Sequence, residues 1–287
     1  MAAGAGYDAG AVTWAVGRGR RRKRSPNRAA IRALSRRRRR WLRKHGRAHP
    51  DLAAVGALIA ACGRRRLRHR CRHPACPRCA HALQRLFVRA VRRLVACEPG
   101  EVWMTVSIIL PALDPDGVID FGAERARYVA LLRAAGIVRG VFGLDLSFNE
   151  DHRHSRPAAE RFPDHASVHL YGLAPAAEAA AAKATLKRLI PATDMVPRPV
   201  RTKPWDGGLG AIAYMAKPEF QRRQTIEKVD PQRGKLVRDT RDRPLTVEQQ
   251  IQAVRALDRA GLTGRFILLG LQLEAGAAGP AGSEFRT

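Results

Sequence analysis

Two segments, VFGLDLSFNE at 141–150 and ASVHLYGL at 166–173, carry a polar or small side chain at every second position. Successive side chains of an extended chain point to opposite faces. Asp145, Ser147 and Asn149 therefore share one face of the first segment, and Leu144, Leu146 and Phe148 share the other. In the second, Ser167, His169 and Tyr171 lie opposite Val168 and Leu170, and His165 joins the polar row if the strand begins early. Paired, the two segments make a sheet with one apolar face and one face of acid, amide, hydroxyl, imidazole and phenol. Such a face either meets water or does chemistry.

The flanking chain reads as further elements of one α+β unit. EVWMTVSIILP at 101–111 is a β-branched, apolar strand with Thr105 and Ser107 on one face. After a turn around Asp114 to Gly117, a helix runs from Phe121 to Ala135. An alanine-rich helix, Ala176 to Ile190, follows the second polar strand, and Met195 to Lys203 is an extended edge segment broken by proline. The order strand, helix, strand, strand, helix, strand predicts a ferredoxin-like split βαβ antiparallel sheet. Its helices would cover the apolar face and leave the polar one open. Gly207 to Arg222 opens on glycines and turns helical, placing Tyr214 and Lys217 on one face. Lys228 to Pro244 reads as a loop or ribbon. Thr246 and Gln249 form a capping box for a helix through Ala260, the strand RFILLGLQL follows, and the tail from Glu274 is expected to be disordered.

Lysine and arginine number 53 against 25 acids, a net charge of +28. That excess exceeds what solubility requires and is the footprint of a polyanion binder, with nucleic acid the default. The block RGRRRKRSPNRAAIRALSRRRRRWLRKHGR at 18–47 has few large apolar residues. It reads as a basic arm, partly helical when bound, that neutralises phosphates through Arg36, Arg37, Arg38, Arg39 and Arg40. Arg64, Arg65 and Arg66 extend the same chemistry. No apolar run reaches the ~18 residues of a membrane span, and the N-terminus lacks the basic lead of a signal peptide. A cytoplasmic protein is expected.

Cys76 and Cys79 form a CxxC knuckle, with four residues between Cys71 and Cys76 and eight between Cys62 and Cys71. Thiolates so spaced can wrap one tetrahedral structural Zn²⁺ in a small ribbon-like segment, with His69, His73 or His81 able to replace Cys62. From Ala80 to Cys97, Leu83, Leu86, Phe87, Val91 and Leu94 recur at helical spacing, opposite a basic stripe of Arg85, Arg89 and Arg93. Cys97 extends the apolar face and reads as a buried, inert thiol.

Three motifs stand in a fixed order: the strand WMTVSII, the histidine-bearing strand VHLYGL, and the helix with YMAK. Over about 102–222 this resembles the HUH endonucleases, in particular rolling-circle replication initiators of plasmids and phages. In that superfamily a strand is followed by a histidine pair flanking an apolar residue, and then by YxxK. The resemblance implies that Tyr214 attacks a DNA phosphodiester and holds the 5′ end as a phosphotyrosine, with Lys217 positioning the phosphate. His169 would ligate Mg²⁺ or Mn²⁺. Where the family has His-apolar-His, this chain has Ser167-Val168-His169 or His169-Leu170-Tyr171. His165, Asp145, Asn149, Glu150, His152 or His154 would have to complete the metal site.

The implied organisation is a basic arm over 1–60, a zinc knuckle and basic helix over 61–100, an HUH-like catalytic domain over 101–225, and a C-terminal loop, helix and strand over 226–287. The implied partner is DNA, single-stranded or a hairpin origin, in a bacterial cytoplasm and associated with the nucleoid or a plasmid. A different class competes with this one: a non-catalytic, zinc-stapled DNA- or RNA-binding protein on the same scaffold. There His169 is a structural imidazole, Tyr214 a packed helical aromatic, and Asp145 the partner of an arginine. An RNA-binding sheet of the RRM kind is disfavoured, because aromatics are only 6% of the chain.

Overall fold

The structure, a computed structural model, describes residues 28–63, 70–111 and 118–271, together with two short ladders nearer the termini. The ladders pair β1 (Thr13–Trp14) with β2 (Lys23–Arg24) and, at the other end of the chain, Gln272–Ala275 with Ser283–Arg286. Ser283–Arg286 falls in the tail read as disordered, and Gln272–Ala275 straddles its start at Glu274. The turn at 114–117, His69 and Arg64 to Arg66 lie outside the described residues.

Between the ladders run α1 (Arg28–His45), α2 (Pro50–Ala60), α3 (Pro77–Cys97), β3 (Trp103–Ile109) and α4 (Phe121–Ala134). They are followed by β4 (Gly140–Asp151), β5 (His165–Pro175), α5 (Ala176–Leu189), β6 (Val200–Pro204) and α6 (Leu209–Met215). The chain ends with β7 (Gln221–Val229), β8 (Leu236–Arg243), α7 (Val247–Ala260) and β9 (Phe266–Leu269), before the tail strands β10 and β11. Strand, helix, strand, strand, helix, strand over 103–204 follows the sequence reading closely. The capping box at Thr246 is formed as read, with Gln249 N–H on the threonine hydroxyl and the glutamine side chain returning to the cap N–H.

The sheet is mixed and curls into a half-barrel in the order β6-β3-β5-β4-β7-β8. The first four strands are each antiparallel to their neighbours. The expectation of a wholly antiparallel sheet fails at β7, which pairs parallel to the far half of β4, while β9 pairs antiparallel to its near half. One strand thus serves three partners because β4 is long enough for β9 to pair with Gly140 to Gly143 and β7 with Ser147 to Asp151.

The apolar face carries Phe142, Leu144, Leu146 and Phe148 with Val106, Ile108, Val168 and Leu170, packed under α4, α5 and α7 in one core. Tyr128 of α4, fully buried, donates its hydroxyl to the Val168 carbonyl at 2.7 Å and anchors that helix to the sheet. The opposite face is not open, as expected, but partly roofed. At one end Val141, Leu173 and Trp103 meet Phe87, Val91 and Leu94 of α3 and Ile212, Ala213 and Met215 of α6 in a second core. Ser147, Ser167, His169 and Asp145 are all buried in consequence.

Three further readings are corrected. Residues 28–60 are not a loose arm from Arg28 on. They form an α1–α2 hairpin whose Leu42, Leu52, Val55 and Ile59 join the main core through an apolar stripe every three or four residues. Residues 216–222 leave the helix at Ala216 and enter β7 at Gln221, while the ribbon alternative for 228–244 agrees with the β7–β8 hairpin. Cys97 is exposed, because α3 ends there and turns its last residue to solvent. Among the described residues no helix is long and apolar enough to cross a membrane.

Gly143 decides where α6 can lie. A Cβ there would stand 2.0 Å from the Met215 carbonyl oxygen, so only a bare backbone lets the helix rest on β4. Gly143→Ala should cost about 3 kcal/mol of unfolding free energy by overpacking, read as a fall in the urea midpoint.

Candidate functional site

The polar row converges beneath α6. Asp145 on β4 and His169 on β5 are directly opposite in the ladder, as are Ser147 and Ser167, and Arg223 of β7 is opposite Asn149. Tyr214 descends from α6 and Lys217 from the turn just beyond it, where Lys217 N–H meets the Tyr214 carbonyl at 3.1 Å and Pro218 follows. Tyr171 meets the Tyr214 ring edge to face, centroids 5.1 Å apart, and helps fix its angle.

Asp145 is the hub. Its Oδ2 accepts the Tyr214 hydroxyl at 3.0 Å and the Lys217 ammonium at 2.8 Å, with the Arg223 guanidinium 3.7 Å away. Arg223 also donates to the Tyr214 oxygen at 3.1 Å, so the phenol gives its proton to a carboxylate and receives one from a cation. Burial alone would raise the carboxyl pKa, but Lys217 and Arg223 hold it below the ordinary carboxylate range. Burial, reinforced by Asp145, pushes the Tyr214 phenol up, and burial pulls Lys217 down. Asp145 Oδ1 is buried with no partner among the described residues.

The tautomer of His169 follows from its neighbours. Its Nδ1 faces the Arg223 guanidinium at 3.4 Å, and a guanidinium can only donate, so Nδ1 holds the lone pair. Nε2 therefore carries the proton, between Ser167 Oγ at 2.7 Å and Ser147 Oγ at 3.0 Å. Asn149 donates to Ser167 at 2.9 Å and closes the network. Burial first, and then Arg223, push the imidazole down to about 3, so the ring is neutral around pH 7.

These contacts do not suit a divalent cation. The one lone pair of His169 is aimed at Arg223, and Asp145 already answers Lys217 and Arg223. His165 points away, with Nδ1 2.9 Å from the Pro163 carbonyl and its ring against Phe162. The other candidates disperse: Glu150 pairs with Arg222 at 3.0 Å, His152 leans on Glu150 at 3.1 Å, and His154 is exposed. Arg265, buried behind the site and donating to the Lys217 carbonyl at 2.9 Å, adds a third cation. With His169 neutral, Lys217, Arg223 and Arg265 outnumber two carboxylates, Asp145 and Asp242, the latter opposite Arg223 in the β7–β8 ladder. The pocket's surplus is positive, which suits an anion.

Arg223 and Arg265 were missed in the sequence. The first follows the stretch read as helical, and QRRQTIEKV carries no apolar alternation that marks a strand. Nothing local distinguishes Arg265 from the other arginines. Solvent reaches the cluster from the cationic side, where the side chains of Lys217 and Arg223 are 14% and 24% exposed against 4% for Asp145.

The second candidate site is a cluster of four thiols. The sulfurs of Cys62, Cys71, Cys76 and Cys79 all lie within 4.8 Å of one another, and this is the cluster of three or more possible ligands found among the described residues. Cys79 stands 3.5 Å from Cys71 and 3.7 Å from Cys62, close to the ~3.8 Å separation of sulfurs around a tetrahedral ion with Zn–S near 2.3 Å. The quartet could hold zinc. His73 does not compete, because its Nδ1 accepts the Ala75 N–H and its Nε2 reaches Asp258 of α7 at 3.0 Å. His81 is buried with neither ring nitrogen partnered among the described residues, outside the quartet. Without a cation the thiols share ionisation unevenly: the hydrogen bond with Cys76 pushes Cys71 up to about 12, while hydrogen bonds from Cys71 and Cys79 pull Cys76 down.

The arginine block is mostly a helix surface. Arg36, Arg37 and Arg40 of α1 are exposed, whereas Arg38 is half-buried, its guanidinium 5.7 Å from the Trp41 ring centre, and Arg39 is half-buried. No family model matches the chain, and no curated protein or solved structure matches it.

Two expectations follow. Native His169 stays unprotonated where the unfolded chain, near 6.5, takes a proton, so stability present above 6.5 is lost as pH falls toward about 3. Between about pH 7 and about pH 5 the urea midpoint of the wild type should fall further than that of His169→Gln. Metal analysis should find one zinc per chain, lost in Cys79→Ser with a drop in melting temperature, because a structural site contributes directly to folding.

Proposed function

We propose that the protein nicks and rejoins DNA in the manner of a replication initiator, with Tyr214 as nucleophile and guanidinium and ammonium groups in place of a divalent metal. The observation that carries this reading is the Tyr214 hydroxyl, held between an acceptor, Asp145, and a donor, Arg223. A phosphodiester entering from the exposed side of Lys217 and Arg223 would meet both cations. Asp145 takes the phenolic proton, the tyrosine oxygen bonds to phosphorus, and the bond to the 3′ oxygen breaks. That oxygen takes a proton from Lys217 or water. The 5′ phosphate remains on Tyr214 as an ester, and reversal with another 3′ hydroxyl rejoins the strand without ATP. Arg223 and Lys217 stabilise charge developing on the phosphoryl oxygens in a site that needs little reorganisation.

Support also comes from the layout. β6-β3-β5-β4 with crossover helices α4 and α5 is the strand arrangement of a split βαβ sheet. The net charge of +28 and the exposed arginines of α1 suit a phosphate backbone. A second reading, the non-catalytic DNA- or RNA-binding protein, is favoured by the pinning of Asp145. A carboxylate held by a lysine and an arginine is a weak base, and it becomes a useful one only when the incoming phosphate draws those cations away.

Internally labelled single-stranded oligonucleotides, incubated with Mn²⁺ or without divalent metal, should give a covalent adduct that survives a denaturing gel in both cases. Tyr214→Phe should abolish it, and Asp145→Asn should slow it by about 10²-fold or more. An adduct persisting in Tyr214→Phe would move the nucleophile elsewhere, and one strictly requiring Mn²⁺ would overturn the metal-free arrangement. Tight binding with no adduct would leave the binding protein.

A further inference from the structure

β7 begins in the site and ends in solvent. Counting by twos from Arg223 gives Thr225, Glu227 and Val229, so Val229 lies on the same sheet face as Arg223. In the hairpin ladder Val229 pairs with Leu236, the first residue of β8. Both are large aliphatics beside the turn, 60% and 57% exposed. The turn that presents them is firmly built. Asp230 Oδ1 accepts the N–H groups of Gln232 and Arg233, Asp230 N–H donates to the Lys235 carbonyl at 2.9 Å, and Gly234 takes a φ of +61 that closes the loop. Arg233 and Lys235 flank the pair, both exposed.

An exposed apolar pair on a hydrogen-bonded tip that carries Arg233 and Lys235 beside Asp230 is available to a partner. Edge pairing with a second copy is disfavoured, because β8 carries Arg238, Asp239, Arg241, Asp242 and Arg243 along the outer edge of the sheet. A two-stranded ribbon fits a nucleic-acid groove, and apolar side chains at such a tip can press between base pairs while cations meet the phosphates. From Arg223 to Val229 the strand advances about 20 Å, or about six base pairs.

We propose that the β7–β8 hairpin is a duplex-gripping arm, with Val229 and Leu236 pressed against the base stack about six base pairs from the phosphate in the site. This rests on the reading of the site as a nucleic-acid site.

The test uses the full chain and two fluorescent probes: a single-stranded oligonucleotide, and the same strand joined to a hairpin stem of about ten base pairs. Val229→Ser with Leu236→Ser should weaken binding of the stem probe about tenfold and leave the single strand unchanged. 2-Aminopurine placed about six pairs into the stem should brighten with the wild type and not with the variant. Equal stem affinities, or equal losses on both probes, would overturn the arm. So would sedimentation showing that the pair holds two copies of the chain together. Covalent adduct formation on the single strand is scored separately. Adducts with an unchanged stem affinity sink the arm alone, and the expected stem loss without adducts sinks the nuclease alone.

Discussion

Asp145 lies in the middle of the longest strand with its side chain 4% exposed, and an ionised carboxylate left unpaired at such a depth costs several kcal/mol. Its ionisation is sustained by Lys217 and Arg223, which reach it from elements that do not touch in sequence. α6 must therefore rest on β4, and β7 must return beside it, before the charge is tolerable. The bare backbone at Gly143 allows the first, and the length of β4 allows the second. Tyr214 is carried into place by the same closure, since it lies at the end of α6 three residues before Lys217 and both reach Asp145 Oδ2.

The cysteine cluster bears on this at a distance. Cys76 caps the N-terminus of α3, and Cys79 sits in its first turn. Two turns on from the cap, Gln84 donates its side-chain amide to the Ala213 carbonyl at 2.9 Å, and the next residue is Tyr214. A metal gripping the quartet would fix the start of α3, and α3 roofs the same end of the polar face as α6. Through His73 and Asp258 the knuckle is also tied to α7, on the far side of the sheet. The quartet is thus placed where it can hold both layers in register, which is a structural task and needs no open coordination position.

Much of this was legible because its signals are local. Alternation at 141–150 and 166–173 gave both faces of β4 and β5, and Thr246 with Gln249 gave the start of α7. The four cysteines declare themselves by spacing. What escaped depended on long-range packing. Arginine-rich α1 looked like a free arm because its apolar stripe is sparse, but Ile31 and Leu42 find a partner surface in α2 and α3 that no local pattern announces. Asp145 and His169 looked like metal ligands because their residue types are right. Arg223, some fifty residues from His169, turned the pocket cationic and took the lone pair.

The charge balance of the pocket points the same way as the chain's composition, and for a physical reason. Three cations against the carboxylates of Asp145 and Asp242 are costly to enclose, and the lowered pKa values of Lys217 and of Arg265, brought to about 10 by burial, record that cost. Folding alone would favour a neutral replacement. An anion docking on the exposed edges of Lys217 and Arg223 would relieve the excess and loosen their hold on Asp145, leaving the carboxylate more basic just as the phenol beside it gains a phosphorus to attack. Ligand binding and activation of the nucleophile would then be one electrostatic event.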